Sequence, residues 1–393
     1  MIVRENLEFA AARCADFPEV EGEHMFRTAS FTNLVVEPGG RMAMPPTHVT
    51  TGTSGDYRIH GSWITLPDGK LPAFVDFPKM MLTSLENAYC LPFGPPILLS
   101  QRQIITDFLV PWGLGILAGF AHSGGKAYHA TGNFETDDIQ YDLDTAIYMD
   151  HSISGHYGHF IGDCLCRLHA WDVCRALFGD VKVIIADGIQ RSFQTPLLNA
   201  AGVPTQDIIK ISGLVRCRRL LLATQSLGVE QYASPTSSRL WGTIRDRHAV
   251  RDVSMPDRIY LSRSGIKDRK LLNETDVERV FERHGFLTLR PESFSVKEQI
   301  ELVSNALLVA GPGGSGMFNL AFQGRMRSAF ILICEERVQL SEMLFCAGRS
   351  CGLWYHLGQR ASSETSQIER DSWVVDLARL ESDVADWVAK AIL

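Results

Sequence analysis

The chain has 393 residues, of which 45% are hydrophobic and 21% are charged, and its formal net charge is −7 at pH 7. This composition excludes a wholly disordered or fibrous chain, and the length favours about two domains. The negative charge gives no general attraction to nucleic acid, so we expect no nucleic-acid partner.

The nine cysteines include no CxxC pair and lie mostly inside apolar runs. This pattern is typical of reduced thiols in a cytoplasmic protein. The first residues lack the basic and apolar blocks of a signal peptide. The longest apolar stretch, 108–120, is short for a membrane span and is interrupted by proline and glycine. We therefore expect a cytoplasmic protein without a transmembrane helix.

Residues 1–150 are predicted to be rich in strands and turns, because β-branched and aromatic runs alternate there with Gly, Pro and Asp. The runs are Tyr57–Leu66, Ala73–Phe77, Ile97–Ser100 and Thr145–Met149. After Gly155 the pattern predicts helices at Tyr157–Leu177 and Phe193–Ala201 and strands at Val181–Ala186, Ile208–Ile211 and Val215–Ala223. Such alternation of helices with apolar strands predicts a parallel sheet that has helices on both faces.

The small, polar segment Ser234–Ser238 is the best candidate for a linker. Beyond it, strands are predicted at Arg258–Ser262, Phe286–Leu289, Leu307–Ala310 and Ala329–Cys334. Helices are predicted at Glu274–His284, Val296–Ala306, Ser315–Phe322, Gln339–Cys351 and Leu377–Leu393. We therefore predict one domain over residues 1–235, a Rossmann-like domain over 236–365, and a final segment, 366–393, whose helix packs back on the N-terminal domain.

A glycine-rich turn, Gly311–Gly316, follows an apolar strand and opens a predicted helix. Glycines let the backbone turn tightly and approach a ligand, and the amides at a helix N-terminus attract anions, most often phosphate. Gly311, Gly313 and Gly316 also satisfy the dinucleotide pattern GxGxxG, and Glu335 ends the next strand where it can meet a ribose hydroxyl. A tight turn without a ligand is the alternative.

Basic side chains follow the predicted strand Arg258–Ser262. The carboxyl ends of parallel strands face the ligand crevice of an α/β sheet, so Arg263 and Arg269 are candidates to grip a diphosphate. A solvated surface charge is the alternative for either arginine. Lys267 and Lys270 lie in the same basic segment.

Histidines crowd at the start of the helix predicted after Gly155. His156, His159, Asp163 and Arg167 fall on one helix face, and His151 precedes them. A polar stripe of this kind suits an acid/base site. A helix cap and a zinc site are the alternatives.

A literal DxD, Asp142-Leu143-Asp144, offers a second way to hold a diphosphate, through a metal ion. A solvated acidic loop is the favoured interpretation of this segment. Trp112 and Trp354 are candidates to stack on a sugar, against the alternative that they belong to the core.

The segment Arg258–Asn319 resembles glycosyltransferase family 61, the capsular polysaccharide biosynthesis type. The matching motifs, in family order and spacing, are Ser262-Arg263, Arg269–Glu274, Gly285-Phe286, Glu298-Gln299-Ile300 and Gly311–Asn319. An upstream block, His156–Asp163, resembles a further family motif, so the resemblance covers about residues 145–356. This chain departs from the family pattern at Gly313, where the family has histidine, and at His156, where it has asparagine.

The resemblance implies a GT-B-like α/β fold, with two Rossmann-like domains whose parallel sheets face across a cleft. It implies an N-terminal acceptor domain and a C-terminal nucleotide-sugar domain. The implied reaction is inverting, metal-independent transfer of a sugar from a nucleotide-sugar donor, which we expect to be UDP-linked, to a hydroxyl of a glycan or glycolipid in surface polysaccharide synthesis. No metal or other cofactor is expected. A lipid-linked acceptor would bring the protein to the inner membrane surface.

The resemblance and the local patterns together assign site residues. Asp163 or His159 is the expected catalytic base. The expected donor-binding residues are Arg263, Arg269, Asn273, Gln299, Gly313, Gly314, Ser315, Gly316, Asn319 and Glu335. The alternatives are an NAD(P)-dependent oxidoreductase that uses the same glycine turn and a non-catalytic sugar-nucleotide-binding protein.

Overall fold

The structure, a computed structural model, describes residues 2–3, 8–50, 71–108, 116–117, 120–124, 127–130, 134–135, 138–150, 154–188, 192–248, 252, 254–266, 269–361 and 372–392. The predicted strand Tyr57–Leu66, His151, Trp112 and Lys267 lie outside these residues. The chain divides into two compact units: Met1–Gly40 with Pro78–Ser226 (the first unit), and Arg41–Phe77 with Leu227–Leu393 (the second unit). The domain limits predicted at 235 and 365 stay predictions.

The strands, in chain order, are β1 (Ile2–Val3), β2 (Glu8–Ala12), β3 (Thr32–Glu37), β4 (Gly40–Ala43), β5 (Thr47–Thr50), β6 (Phe74–Phe77), β7 (Met80–Cys90), β8 (Ile97–Leu98), β9 (Gln103–Ile105), β10 (Ile116–Leu117), β11 (Phe120–Gly124), β12 (Ala127–Ala130), β13 (Phe134–Glu135), β14 (Ile139–Tyr148), β15 (Lys182–Ala186), β16 (Ile208–Ile211), β17 (Leu214–Ala223), β18 (Leu227–Gly228), β19 (Tyr232–Ala233), β20 (Arg258–Leu261), β21 (Leu287–Leu289), β22 (Leu308–Pro312), β23 (Ser328–Cys334), β24 (Gly352–Arg360) and β25 (Trp373–Val374). The α-helices are α1 (Glu23–Thr28), α2 (Tyr157–His159), α3 (Trp171–Phe178), α4 (Gln194–Ala200), α5 (Pro235–His248), α6 (Glu274–Arg283), α7 (Val296–Asn305), α8 (Ser341–Cys346) and α9 (Leu377–Ile392).

The main sheet of the first unit is mixed. Its strand order is β10-β11-β12-β2-β9-β8-β7-β17-β14-β15-β16, and β3 also pairs with β7. The strands from β17 to β16 run parallel, as the alternation of helices and strands predicts. Strand β7 lies antiparallel to β17, and the pairs on the far side of β7 are antiparallel except for β2 with β9. The parallel arrangement predicted after Gly155 is therefore confirmed, and the strands before β14 add a mainly antiparallel part to the same sheet.

The predicted helix Tyr157–Leu177 follows β14 but is not uniform. After α2 it continues as a π-helical turn, Phe160–Cys164, and a 3-10 helix, Leu165–Ala170, before α3 begins. A π-turn widens the helix locally and often marks a functional site. Here it contains Asp163.

The sheet of the second unit is parallel and doubly wound. The order is β21-β20-β22-β23-β24, β5 runs parallel to the far side of β24, and β25 pairs antiparallel with the end of β24. Strand β20 lies between β21 and β22, so the two strands that follow it in the chain lie on opposite sides of it. The strand order therefore reverses between β20 and β22. In open α/β sheets, ligands bind outside the carboxyl ends of the strands at such a switch point.

The elements predicted after residue 236 are confirmed with three exceptions. The helix predicted at Gln339–Cys351 is shorter, because α8 covers only Ser341–Cys346. The segment expected to be a linker instead begins α5, where Pro235 occupies the first helical position, at which the missing N–H costs nothing. The helix expected after the glycine turn is a 3-10 helix, Ser315–Phe322.

The last helix, α9, covers the sheet of the second unit. Trp387 is fully buried, stacks against Phe286 with ring centroids 5.5 Å apart, and donates from Nε1 to the Ser328 Oγ at 2.8 Å. The apolar face of α9 therefore completes the core of this unit. Packing of the helix on the N-terminal domain stays a prediction.

Candidate functional site

The carboxyl ends of β20 and β22 meet at the switch point of the second unit. Arg263, which follows β20, donates from Nη1 to the Gly313 carbonyl at 3.0 Å, and its own backbone N–H donates to Glu274 Oε1 at 2.6 Å. A Cβ on Gly311 would lie 2.6 Å from the Leu261 carbonyl oxygen. The strands can therefore approach this closely because position 311 is glycine, and the arginine and the turn are brought together as predicted.

The backbone amides of the glycine turn have protein partners. The Gly313 N–H donates to the Leu332 carbonyl at 2.8 Å, and the Gly314 N–H donates to Glu342 Oε1 at 2.9 Å. The amide of Gly314, which we expected to bind a diphosphate, thus already holds a carboxyl group of the protein. Sequence reasoning did not find Glu342, because it lies on α8 beyond the next strand.

Glu342 is fully buried. Burial is the largest cause that raises the pKa of its carboxyl to about 7, and the charge of Glu230 adds to the shift. Its Oε2 has no hydrogen-bond partner among the residues that the structure describes. Glu230 accepts from the Leu340 N–H at 2.7 Å and from the Ser341 hydroxyl, and burial raises its pKa too. The buried carboxyl groups of Glu342 and Glu230 therefore lie close together, and that of Glu342 bonds to the glycine turn.

Three amide side chains that we predicted as donor contacts bond to the protein. Asn319 Nδ2 donates to Gln299 Oε1 and to the Gly316 carbonyl, both at 3.0 Å. Asn273 donates from Nδ2 to the Val375 carbonyl at 2.8 Å. In the structure, therefore, Asn319 and Gln299 brace the glycine turn, and Asn273 joins α6 to the chain after β25.

A pocket of about 200 Å3 opens beside the turn, at the carboxyl ends of β23 and β24. Its lining residues are Arg269, Gly313, Ile333, Cys334, Glu336, Arg337, Gln339, Arg360 and Trp373. The Arg269 carbonyl accepts from Trp373 Nε1 at 3.2 Å, and Arg360 bonds Glu336 at 2.9 Å. The arginines of the wall make this pocket suited to an anion.

Arg337 and Arg360 were missed by the sequence analysis. The position of Arg337 just after β23 was an available signal, whereas Arg360 ends a strand, β24, that we did not predict. Glu335 begins the 3-10 turn after β23, and its Oε2 is buried without a hydrogen-bond partner in the described part of the chain. The pocket is lined by its neighbour Glu336. Ser315 and Gly316 open the 3-10 helix that follows the turn.

In the first unit, the two predicted base candidates form a pair. His159 Nδ1 lies 2.7 Å from Asp163 Oδ2, and the two side chains are 21% and 16% exposed. Gln225, which the sequence analysis missed, donates from Nε2 to Asp163 Oδ1 at 3.2 Å. Arg167 donates from Nε to the Asp163 carbonyl at 3.1 Å. If Nδ1–H donates to the carboxylate, the lone pair of the neutral imidazole is on Nε2.

The DxD residues lie in strand β14, not in a loop. Asp144 pairs with Arg218 at 2.6 Å, and Asp142 lies 3.7 Å from both Arg216 and Arg218. These exposed ion pairs are a structural explanation for the acidic segment. Within the described ranges, no group of three or more His, Cys, Asp or Glu residues is placed to hold a metal ion.

Residues 157–331 match the family model of glycosyltransferase 61. This matched segment is similar to the glycosyltransferase 61 family. The match includes both the His159–Asp163 pair and the glycine turn, but ends before Glu342, Arg337 and Arg360. No curated protein gives a significant sequence match.

The family-61 match makes the chain a glycosyltransferase enzyme, and no comparison supports the oxidoreductase alternative. Among the described residues, no helix has the length and apolar character that a membrane crossing needs.

Proposed function

We propose that this family-61 enzyme transfers a sugar from a nucleotide-sugar donor, UDP-linked, to a hydroxyl of a glycan or glycolipid during surface polysaccharide synthesis. The observation that carries the proposal is the contact between the Arg263 guanidinium and the glycine turn at the switch point of the sheet. Ligands of open α/β sheets bind at this place, and guanidinium groups bind phosphates through paired, charge-assisted hydrogen bonds. A guanidinium has five N–H donors, so it can brace the turn and contact a diphosphate.

The pocket beside the glycine turn is a second feature that supports a nucleotide-sugar donor. Arg269, Arg337 and Arg360 line it, next to Gly313. Positive side chains that are already in position stabilise the charge that develops on a departing diphosphate. We therefore propose a metal-independent reaction in which the positive charges of Arg263 and Arg269 stabilise the leaving diphosphate, a role that a bound metal ion has in other enzymes.

The pair in the first unit supports an assignment of the base. With Asp163 bonded to Nδ1, the imidazole of His159 is oriented to accept a proton at Nε2. In the proposed step, Nε2 takes the proton of the acceptor hydroxyl. The acceptor oxygen then bonds to the anomeric carbon while the diphosphate leaves from the opposite face with the bonding electrons. The anomeric centre is therefore inverted, and Asp163 acts as a positioning residue.

The proposal includes the division of labour of a GT-B enzyme, with the acceptor bound by the first unit and the donor by the second. It places the enzyme in the cytoplasm, with peripheral contact to the inner membrane where the acceptor is lipid-linked. It includes no metal or other cofactor.

A thermal-shift screen of UDP-, GDP- and ADP-linked sugars tests the donor site. A bound donor stabilises the folded protein by mass action, so one nucleotide class should raise the melting temperature. Arg269→Ala should lose this shift. Arg279→Ala is the matched control, because Arg279 lies on α6 of the same unit in an exposed pair with Asp276. A screen without any shift, or a shift that survives in Arg269→Ala, would contradict the proposed site.

A further inference from the structure

Glu342 occupies the position that the glycine turn offers to an anion. The Gly314 N–H donates to the Glu342 Oε1. A Cβ on Gly313, which lines the pocket beside the turn, would lie 3.3 Å from the same oxygen. The carboxyl is fully buried, and its second oxygen has no hydrogen-bond partner in the parts of the chain that are described. A buried carboxylate with one oxygen unsatisfied is far more costly than the neutral carboxyl in the same place.

The charged and titratable groups around Glu342 come from several elements. Glu230, beside β18 and β19, repels a carboxylate at position 342, and Arg269 attracts it. Tyr355 on β24 also faces both carboxyls, and its hydroxyl donates to the Gln339 carbonyl at 2.9 Å. Arg337 attracts a carboxylate at position 230, as Arg269 attracts one at position 342. The attraction that favours the charged form of Glu342 therefore comes from an arginine of the pocket wall.

We propose that Glu342 is a positioning residue that takes up a proton when the donor binds, so that donor affinity depends on the protonation of this one buried side chain. The inference rests on the proposed function, because the ligand is the diphosphate of a nucleotide sugar.

The physical reason is competition between two anions. A diphosphate in the pocket adds negative charge near Glu342 and engages Arg269, which otherwise stabilises the carboxylate. Both changes favour the protonated carboxyl in the complex. By linkage, a group that binds its proton more tightly in the complex makes ligand affinity fall as pH rises. The affinity is then highest where Glu342 is already protonated in the free protein.

The experiment is isothermal titration calorimetry with the nucleotide sugar that gives the largest thermal shift in the screen. Its pyrophosphate diester stays ionised throughout the range, so it contributes no proton change of its own. Titrations at about pH 8, in buffers of different ionisation enthalpy, measure the protons taken up on binding. Affinities from about pH 6 to about pH 8.5 give the pH profile, whose limiting slope for one proton is roughly tenfold per pH unit.

We expect proton uptake in the wild type and none in Glu342→Gln, which keeps an oxygen for the Gly314 N–H but cannot titrate. Glu230→Gln removes the repelling charge and should move the fall in affinity to lower pH. Glu301→Gln, on α7 of the same unit, is the control and should behave as the wild type.

Binding without proton uptake in the wild type would overturn the inference and leave the proposed donor site intact. The same holds if Glu342→Gln folds but still takes up a proton. If no nucleotide sugar binds at all, the proposed function and the inference fall together.

Discussion

The guanidinium of Arg263 lies directly over Gly314. A Cβ on Gly314 would overlap the guanidinium, and the backbone of Gly314, at φ +134°, is in a region that glycine alone adopts readily. The arginine also bonds the carbonyl of Gly313 at 3.0 Å. The side chain and the turn therefore depend on each other.

Gly314→Ala should displace the Arg263 guanidinium and weaken donor binding. Backbone strain of this kind costs about 1–3 kcal/mol, so the melting temperature should also fall. Calorimetry measures the fall in the melting temperature, and nucleotide thermal shifts measure the weaker donor binding. Gly285→Ala is the control, because Gly285 also has a positive φ, +79°, but its added Cβ would lie an ordinary 3.5 Å from Arg258 Nη1. Equal donor binding in Gly314→Ala and Gly285→Ala would show that the contact with Arg263 is irrelevant to the ligand.

Arg263→Ala should abolish sugar transfer and lower the melting temperature by only a few degrees. The variant loses the bond from the guanidinium to the Gly313 carbonyl, and a bond to a charged group contributes about 1.5–3 kcal/mol. Arg263→Lys should restore binding only in part, because an ammonium group cannot form the paired geometry of a guanidinium. Transfer assays and melting curves are compared with Arg279→Ala. Full activity in Arg263→Ala would remove this residue from the site.

Asp163→Asn should lower kcat and leave donor affinity at its wild-type value. The amide no longer fixes the imidazole of His159, and loss of a positioned general base costs roughly 10²–10⁴-fold in rate. A His159→Gln variant should lose about as much, and the double variant should lose little more, because the two residues act as a unit. Unchanged turnover in Asp163→Asn, or losses that multiply in the double variant, would argue against the pair.

Glu342 should also make stability depend on pH. The pKa of this carboxyl is raised to about 7 in the folded protein, so between its unfolded value and about 7 the folded state holds a proton that the unfolded state has lost. The free energy of unfolding contributed by this group therefore falls as pH rises through that window, by on the order of 3 kcal/mol, and is level above it. Denaturant titrations at several pH values should show a flatter dependence in Glu342→Gln. Parallel curves for the wild type and the variant would refute the shift.

Much of the second unit could be predicted because its signals are local. Apolar runs marked the strands and the helix α7, at whose start Ser295 and Glu298 complete a capping box in the structure. The glycine turn and Arg263 each follow a predicted strand, and residues in that position of a parallel sheet share one edge. The sequence alone therefore determined the α/β class of this unit, its family resemblance and the meeting of Arg263 with the turn.

What the tertiary structure decided depends on strand order and register, which no short stretch encodes. Strand β5, from the N-terminal third of the chain, joins the C-terminal sheet beside β24, and Arg360 reaches the pocket at the end of that same β24. Glu342 meets Gly314 because α8 packs against the turn after β23 has returned the chain to that edge. A buried carboxyl in the predicted anion position could be recognised only once the fold had brought these distant segments together.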